Sequence, residues 1–248
     1  MAVRATQEVL LISVRGTGFL RTTQEVLLIS TPYILAPVAI TYPLTPPAIA
    51  GLGPQDFSMT EDNVVGESES PFTLSQQEYQ WPGTRFQIEA NMPPMVMTEA
   101  EQWMGFLGSL KGKYGTCLMP DYLRPTPQGP MSGSPLVAGT NLNGSGVLNI
   151  RGAAASVTNW GVAGDYIQIT SGSGAPQRLY KLLQNASTDG SGDAALEIFP
   201  NIRETLSDGT AIVTANCAGT FRMVKNSFTW KVDRNKMYAI SFQMKEAI

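Results

Sequence analysis

The 248-residue chain contains no histidine and only two cysteines. Without imidazole it lacks the usual general base near neutral pH and a common metal ligand, which excludes histidine-based Ser or Cys triads and most zinc sites. Cys117 and Cys217 each lie in an apolar, strand-like run, where a free thiol behaves as a small hydrophobic group. We therefore expect two buried thiols, with a single disulfide as the alternative where the redox compartment allows it.

Charged residues are also scarce, at 15% of the chain, and the net charge is −3. Such a chain offers no basic field for nucleic acid and no polybasic patch for anionic lipid. Its apolar runs, such as residues 9–12 and 26–29, are far shorter than the roughly 20 residues of a membrane span. We expect no nucleic-acid partner, no membrane segment and no cofactor.

The sequence begins with a repeat over residues 1–54, where a proline-rich connector follows two copies of one decapeptide. Residues 4–13 (RATQEVLLIS) return as residues 21–30 (RTTQEVLLIS) with one difference. Two copies cannot stack into a core of their own, so we predict an extended arm that adds a strand to the sheet edge of another subunit. An intramolecular hairpin is the alternative. The residues predicted to contact the neighbouring subunit are Thr6, Gln7, Val9, Leu11, Thr23, Gln24, Val26 and Leu28.

Residues 55–120 read as a module of hairpin, helix and strand. Residues 72–80 and 84–92 are β-prone runs on either side of Trp81-Pro82-Gly83, which predicts a hairpin with its turn at those three residues. Phe86, Ile88 and Ala90 alternate with polar residues and should face the core.

A capping box over residues 98–101 predicts the start of a helix. Its apolar stripe has the spacing i, i+3, i+4, i+7 and consists of Trp103, Phe106, Leu107 and Leu110. Gly112 fits the end of the helix, and residues 114–119 read as the next strand.

An acidic cluster lies near the start of this module, before the predicted hairpin, and consists of Glu61, Asp62, Glu67 and Glu69. A divalent-metal site is one interpretation, but the spacing is not that of a calcium loop, and a solvated acidic edge explains the cluster better.

Residues 121–146 form a linker rich in Gly, Pro and Ser, and residues 147–248 carry short β-prone runs between turn signals. This spacing is typical of an antiparallel sandwich or barrel. The fold class predicted for the whole chain is mainly β, with an extended N-terminal arm, a β-rich module with one amphipathic helix, and a C-terminal antiparallel β-sandwich or barrel. Residues 55–248 can also be one composite domain.

Several stretches together resemble the minor tail and distal-tail structural proteins of tailed bacteriophages, over roughly residue 53 to the C-terminus. They are residues 103–107, 112–116, 163–169, 178–181, 219–223 and 238–242. These are turn glycines and core aromatics, so they support a fold more than a site. The decapeptide also looks like segments at the starts of other phage virion proteins.

The resemblance implies a virion structural protein of the tail, present in the host cytoplasm during assembly. It implies a ring of copies, often six, that links the tail tube to the hub or fibres. It implies no catalytic residue, no cofactor and no metal, and we expect no enzymatic activity.

Three other readings stay open at the level of sequence. An enzyme would need paired carboxylates, and Asp121 or Asp165, each beside a tyrosine, could supply half of a glycosidase pair. A carbohydrate-binding tail module could stack sugars on Trp160, Tyr166 and Trp230. A head-to-tail adaptor or capsid cement protein would also use a long terminal arm.

Overall fold

The computed structural model describes residues 39–49, 53–122 and 124–248. All residues of the predicted subunit-contact arm lie outside these ranges, so the arm stays a prediction. Residues 40–248 form one compact unit, which is mainly β, as the sequence predicts. Its elements are β1 (Asp56–Glu69), β2 (Gln76–Asn91), α1 (Met97–Ser109), β3 (Cys117–Pro120), β4 (Gly133–Val137), β5 (Val147–Ala153), β6 (Tyr166–Ile169), β7 (Arg178–Leu182), β8 (Ala194–Phe199), β9 (Ile212–Val213), β10 (Ala218–Met223), β11 (Thr229–Val232) and β12 (Tyr238–Glu246).

Six strands form an open antiparallel sheet in the order β1-β2-β12-β10-β3, with β11 paired to β12. Strand β12 is central: one of its edges pairs with β2, and the other pairs first with β11 and then with β10. The sequence pattern places β10, β11 and β12 with the strands of residues 147–248. In the structure these three strands form a sheet with β2 and β3. The open sheet is therefore built from both ends of the described chain.

The hairpin predicted between residues 72–80 and 84–92, with its turn at Trp81-Pro82-Gly83, is wrong, because residues 76–91 belong to the single strand β2. Strand β2 runs through these residues without reversing, and the chain turns instead at residues 70–75, between β1 and β2. Asp62 pairs with Arg85 and Val64 with Trp81, so three residues of β2 face one residue of β1. Proline and glycine fit this bulge because the irregular pairing does not require the amide that Pro82 lacks.

The helix is confirmed, although it begins before the predicted capping box. Met95 exchanges two backbone hydrogen bonds with Tyr238, at 3.0 and 2.9 Å, so the chain leaves the sheet at Val96 and turns at once into α1. The Glu99 carboxylate then accepts the Val96 N–H at 3.3 Å. Thr98 and Glu101, the predicted capping pair, lie inside the helix.

The apolar stripe of α1 covers one face of the open sheet. Trp103, Phe106, Leu107 and Leu110 are all buried, as predicted, together with Phe86, Ile88 and Ala90 of β2. Trp103 stacks on Phe242 of β12, with ring centroids 5.8 Å apart. None of the helical structure in the described ranges combines the length and apolar character of a membrane span.

The other six strands form a nearly closed barrel in the order β4-β5-β8-β7-β6-β9. Closure comes from a bridge between Leu136 and Ala211 and from two backbone bonds of Val137, which donates to Thr210 at 2.8 Å and accepts from Gly209 at 2.9 Å. Its interior is apolar and includes Trp160 and Tyr180. The antiparallel sandwich or barrel predicted for residues 147–248 is thus a barrel made by residues 133–213. It includes β4 from the predicted linker 121–146, and it does not include β10, β11 or β12.

A buried ion pair joins the barrel to the open sheet. Arg203, which follows β8, donates to Glu246 at the end of β12 at 2.7 Å, and the two side chains are 7% and 4% exposed. Glu246 also accepts the backbone N–H of Phe86 in β2 at 3.3 Å. A charge pair at this depth is stable only with such extra hydrogen bonds.

Residues 40–49 of the proline-rich connector belong to the compact unit and lie along β3 and the end of α1. The Tyr42 hydroxyl donates to the Ser109 carbonyl at 2.7 Å. Leu44 donates to Thr116 at 2.9 Å and accepts from Leu118 at 2.8 Å. These bonds give β3 a single-residue parallel neighbour at Leu44.

Both cysteines are buried free thiols, as the sequence indicates. Burial raises the pKa of Cys117 to about 12 and the pKa of Cys217 to about 12. The thiols are therefore protonated near neutral pH, and Cys117 donates to the Phe221 carbonyl.

Candidate assembly surface

Residues 63–83, here called the projecting hairpin, form the half of β1–β2 that lies beyond the core. All residues from 71 to 83 are exposed, whereas Thr84, Phe86, Ile88 and Ala90 are buried. The change falls at the bulge between Asp62 and Val64. Strand pairing continues past this point, but the described residues place no second layer over the strands.

The register divides the side chains of the projecting hairpin between two faces, because residues directly opposite each other point the same way. One face carries Val64 opposite Trp81 and Gly66 opposite Tyr79. The other face carries Val65 opposite Gln80, Glu67 opposite Glu78, and Glu69 opposite Gln76. The projecting hairpin therefore has one aromatic face and one acidic face.

The aromatic face is ordered by its own contacts. The rings of Tyr79 and Trp81 meet edge to face with centroids 4.8 Å apart. Trp81 extends over Gly66, where a Cβ atom would lie 3.4 Å from its Nε1 atom. Despite these contacts Tyr79 is 61% and Trp81 53% exposed. Contiguous exposed aromatic surface of this kind is typical of protein–protein contacts.

The acidic face has no basic residue to neutralise it within the hairpin. Residues 63–83 contain three glutamates and neither lysine nor arginine. Glu67 and Glu78 lie directly opposite each other, an arrangement that is unfavourable for like charges. The Gln76 amide donates to Glu67 at 3.2 Å and to Glu69 at 3.0 Å.

The tip of the hairpin displays large apolar side chains. Phe72 is 94% exposed and Leu74 is 70% exposed. Backbone bonds close the turn, from Ser70 to Ser75 at 3.0 Å and from Leu74 to Ser70 at 2.9 Å. A closed turn thus presents Phe72 to solvent at the end of the hairpin.

The acidic cluster predicted from the sequence is divided along this hairpin. Glu61 pairs with Lys181 of β7 at 2.7 Å, which ties the hairpin base to the barrel. Asp62 accepts from the Gln87 amide and from Arg85 at 3.1 Å, and these bonds hold the pKa of Asp62 below its ordinary value against the opposing effect of burial. The described residues contain no group of acidic or cysteine side chains arranged to hold a metal ion.

The structure brings together the two carboxylates considered for an enzyme. Asp121 and Asp165 line one cavity, but its volume is only about 10 Å³, which is room for about one water. The Asp165 carboxylate accepts the backbone N–H groups of Gln128 at 2.7 Å, Gly129 at 2.9 Å and Val162 at 3.0 Å. Its role in this arrangement is to hold two loops together.

The three aromatics considered for sugar stacking have different surroundings. Trp160 is fully buried in the barrel and donates to the Ser132 carbonyl at 2.8 Å, so it presents no ring to solvent. Tyr166 is half-buried, and burial raises its pKa to about 12. Trp230 is 47% exposed on β11, and its ring centroid lies 5.6 Å from that of Phe228.

Sequence reasoning did not identify the projecting hairpin. The alternation of Tyr79 and Trp81 with Glu78 and Gln80 is the same pattern that marks a core face. Only the long-range pairing shows that none of the described residues covers this face. The charges of residues 63–83 could have indicated an exposed segment, because three glutamates occur there without a lysine or an arginine. Known proteins give no further guidance, since neither a family model nor a curated protein matches the chain.

Proposed function

We propose that this protein is a structural component of a bacteriophage tail, which assembles with copies of itself and links the tail tube to the hub or fibres. The observation that carries an assembly role is the exposed aromatic face of the projecting hairpin. The tail assignment is supported by the sequence resemblance to minor tail and distal-tail proteins. No catalytic step is part of this function.

The projecting hairpin has the properties of an element that is completed by another chain. An isolated two-stranded ribbon is marginally stable in water, and this one exposes Val64, Tyr79 and Trp81 on one face. Aromatic residues supply much of the binding energy in protein interfaces because they bury a large area. Packing this face against a second subunit would both stabilise the hairpin and join the subunits.

The free edge of β1 supplies a second contact. In the described part of the chain, β1 pairs with β2 alone and is the terminal strand of the open sheet. Its backbone groups on the outer side can accept an added strand, which is the role predicted for the arm. In a closed ring the same contact recurs at every subunit, so individually weak strand additions reinforce one another.

The test is a mass measurement of the purified protein in solution, repeated after deletion of residues 1–30. We expect a discrete oligomer for the full chain and a smaller species after the deletion. A monomer for the full chain at micromolar concentration would contradict self-assembly. An unchanged oligomer after the deletion would assign assembly to the hairpin and not to the arm.

A carbohydrate-binding tail module is the second candidate, because Trp230 remains exposed beside Phe228. A glycan array would show binding that is lost in Trp230→Ala and retained in Leu142→Ala, an exposed substitution on the barrel side. An array without signal above background would leave assembly as the function.

A further inference from the structure

A half-open cavity of about 220 Å³ lies where the connector, the start of β7 and the end of β12 meet. Its lining includes two arginines and two threonines but neither aspartate nor glutamate. The polar residues that matter are Arg178, Arg222, Thr116 and Thr220. The charged side chains of this lining are both arginines, in a protein whose net charge is negative.

Arg178 is the unusual member of this group, because it is only 8% exposed. One of its terminal nitrogens donates to the Ala247 carbonyl, while its Nε atom is buried without a partner. None of the ion pairs in the described ranges involves it. The guanidinium charge is therefore withdrawn from water with no acidic side chain of the described residues paired to it, which is strongly unfavourable for an ion.

The same molecule contains a buried arginine whose charge is compensated. The Arg203 side chain is 7% exposed, and Glu246 accepts two hydrogen bonds from it, at 2.7 and 3.3 Å. Arg178 is also buried, but no acidic side chain of the described residues compensates it in this way. The difference points to a counter-ion that no acidic side chain of the described residues supplies.

The neighbouring residues can complete an anion site. Arg222 also has a buried Nε atom without a partner, and it lies two positions after Thr220 on β10, so both side chains are on one face of that strand. The Thr220 hydroxyl accepts the Gln177 N–H at 3.0 Å, which leaves its own hydrogen available to donate. Two forked guanidinium groups and a hydroxyl are the donors that recognise oxyanions.

We propose that this cavity binds a small inorganic oxyanion of the phosphate type, held between Arg178 and Arg222 with Thr220 as an additional donor. The bound anion would neutralise Arg178 and connect β7, β10 and the end of β12. This site is separate from the projecting hairpin, and its existence does not depend on the proposed tail function.

The test is calorimetric titration of the full-length protein with inorganic phosphate, in chloride buffer held at constant ionic strength. We expect saturable binding of one phosphate per chain and a phosphate-dependent rise in melting temperature that added chloride does not reproduce. Absence of both effects in the unaltered protein would overturn the proposal, and that result does not depend on any variant folding.

Substitutions locate the site. Arg178→Gln should weaken phosphate binding at least tenfold, and Arg222→Gln, at a less buried position, should weaken it similarly with little effect on folding. Arg234→Gln, which removes an exposed arginine before β12, is the charge-matched control and should leave the phosphate affinity unchanged. Equal losses in all three variants, or full binding by Arg178→Gln and Arg222→Gln, would show that phosphate does not bind in this cavity.

Discussion

The barrel and the open sheet are both built from antiparallel strands, but they differ in edge pairing and in the exposure of their aromatic side chains. The barrel joins β4 to the region of β9 and encloses its large aromatics, so that Trp160 and Tyr180 are fully buried. The open sheet ends at the free edge of β1 and extends into the projecting hairpin. Aromatic side chains that are strongly exposed in the described ranges all lie outside the barrel, at Phe72, Tyr79, Trp81, Tyr114 and Trp230.

This difference indicates separate roles for the two regions, one in folding stability and one in association. A closed barrel has few free edges and offers little for another chain to add to, so it acts as a self-sufficient body. Within the part of the chain that the structure describes, the open sheet keeps an unpaired edge at β1 and an exposed aromatic face. Variants that affect folding in one region and association in the other would test this division.

The largest contrast is expected between two tryptophans. Trp160→Ala should lower the free energy of unfolding by about 3–5 kcal/mol, because it removes a fully buried ring and leaves a cavity in the barrel. Trp81→Ala should cost at most about 1 kcal/mol, since only cross-strand contacts are lost. Urea denaturation of both variants measures the difference. Comparable losses would show that the projecting hairpin belongs to the cooperative core.

The buried ion pair between the barrel and the open sheet should be nearly as sensitive to substitution. Glu246→Gln removes the counter-charge of buried Arg203 and should cost about 3 kcal/mol. Asp208→Asn is the matched control: it breaks the exposed Arg151–Asp208 pair, which has a similar length of 2.8 Å, and should cost less than about 1 kcal/mol. Equal unfolding midpoints for the two variants would contradict the structural role of the buried pair.

Alkaline pH should lower the free energy of unfolding by a smaller amount, and gradually. The pKa of each thiol is about 12 in the folded protein against an ordinary value of 9.0, so between these values the unfolded state releases protons that the folded state retains. Stability should therefore be constant below about pH 9 and decline as the pH rises toward 12. Cys117→Ala and Cys217→Ala should each flatten this decline in urea titrations. An unchanged slope in both variants would rule out the thiols as its source.

Local patterns in the sequence predicted the elements but not their assembly. Alternation located most strands, and the spacing of Trp103, Phe106, Leu107 and Leu110 located the helix, because these signals depend on near neighbours. The turn predicted at Trp81-Pro82-Gly83 is wrong because proline and glycine are common both in turns and in β-bulges. The pairing of β12 with β2 joins residues more than 140 positions apart, and no local signal encodes it.

The candidate site was less predictable for the same reason. Tyr79 and Trp81 are exposed because no other described element packs over them, and this depends on long-range packing that the local sequence does not encode. The arm residues 4–13 and 21–30 stand out by their repetition, but repetition alone does not identify the edge that would receive them.

The most direct test of the assembly claim is sedimentation velocity on the full chain and on the double variant Tyr79→Ser/Trp81→Ser. Leu142→Ser serves as the control, because Leu142 is 65% exposed on the barrel side. We expect the full chain and the control to sediment as the same oligomer, and the double variant to sediment as a smaller species with an unchanged urea midpoint. An oligomer of undiminished size in the double variant would contradict the role of the projecting hairpin.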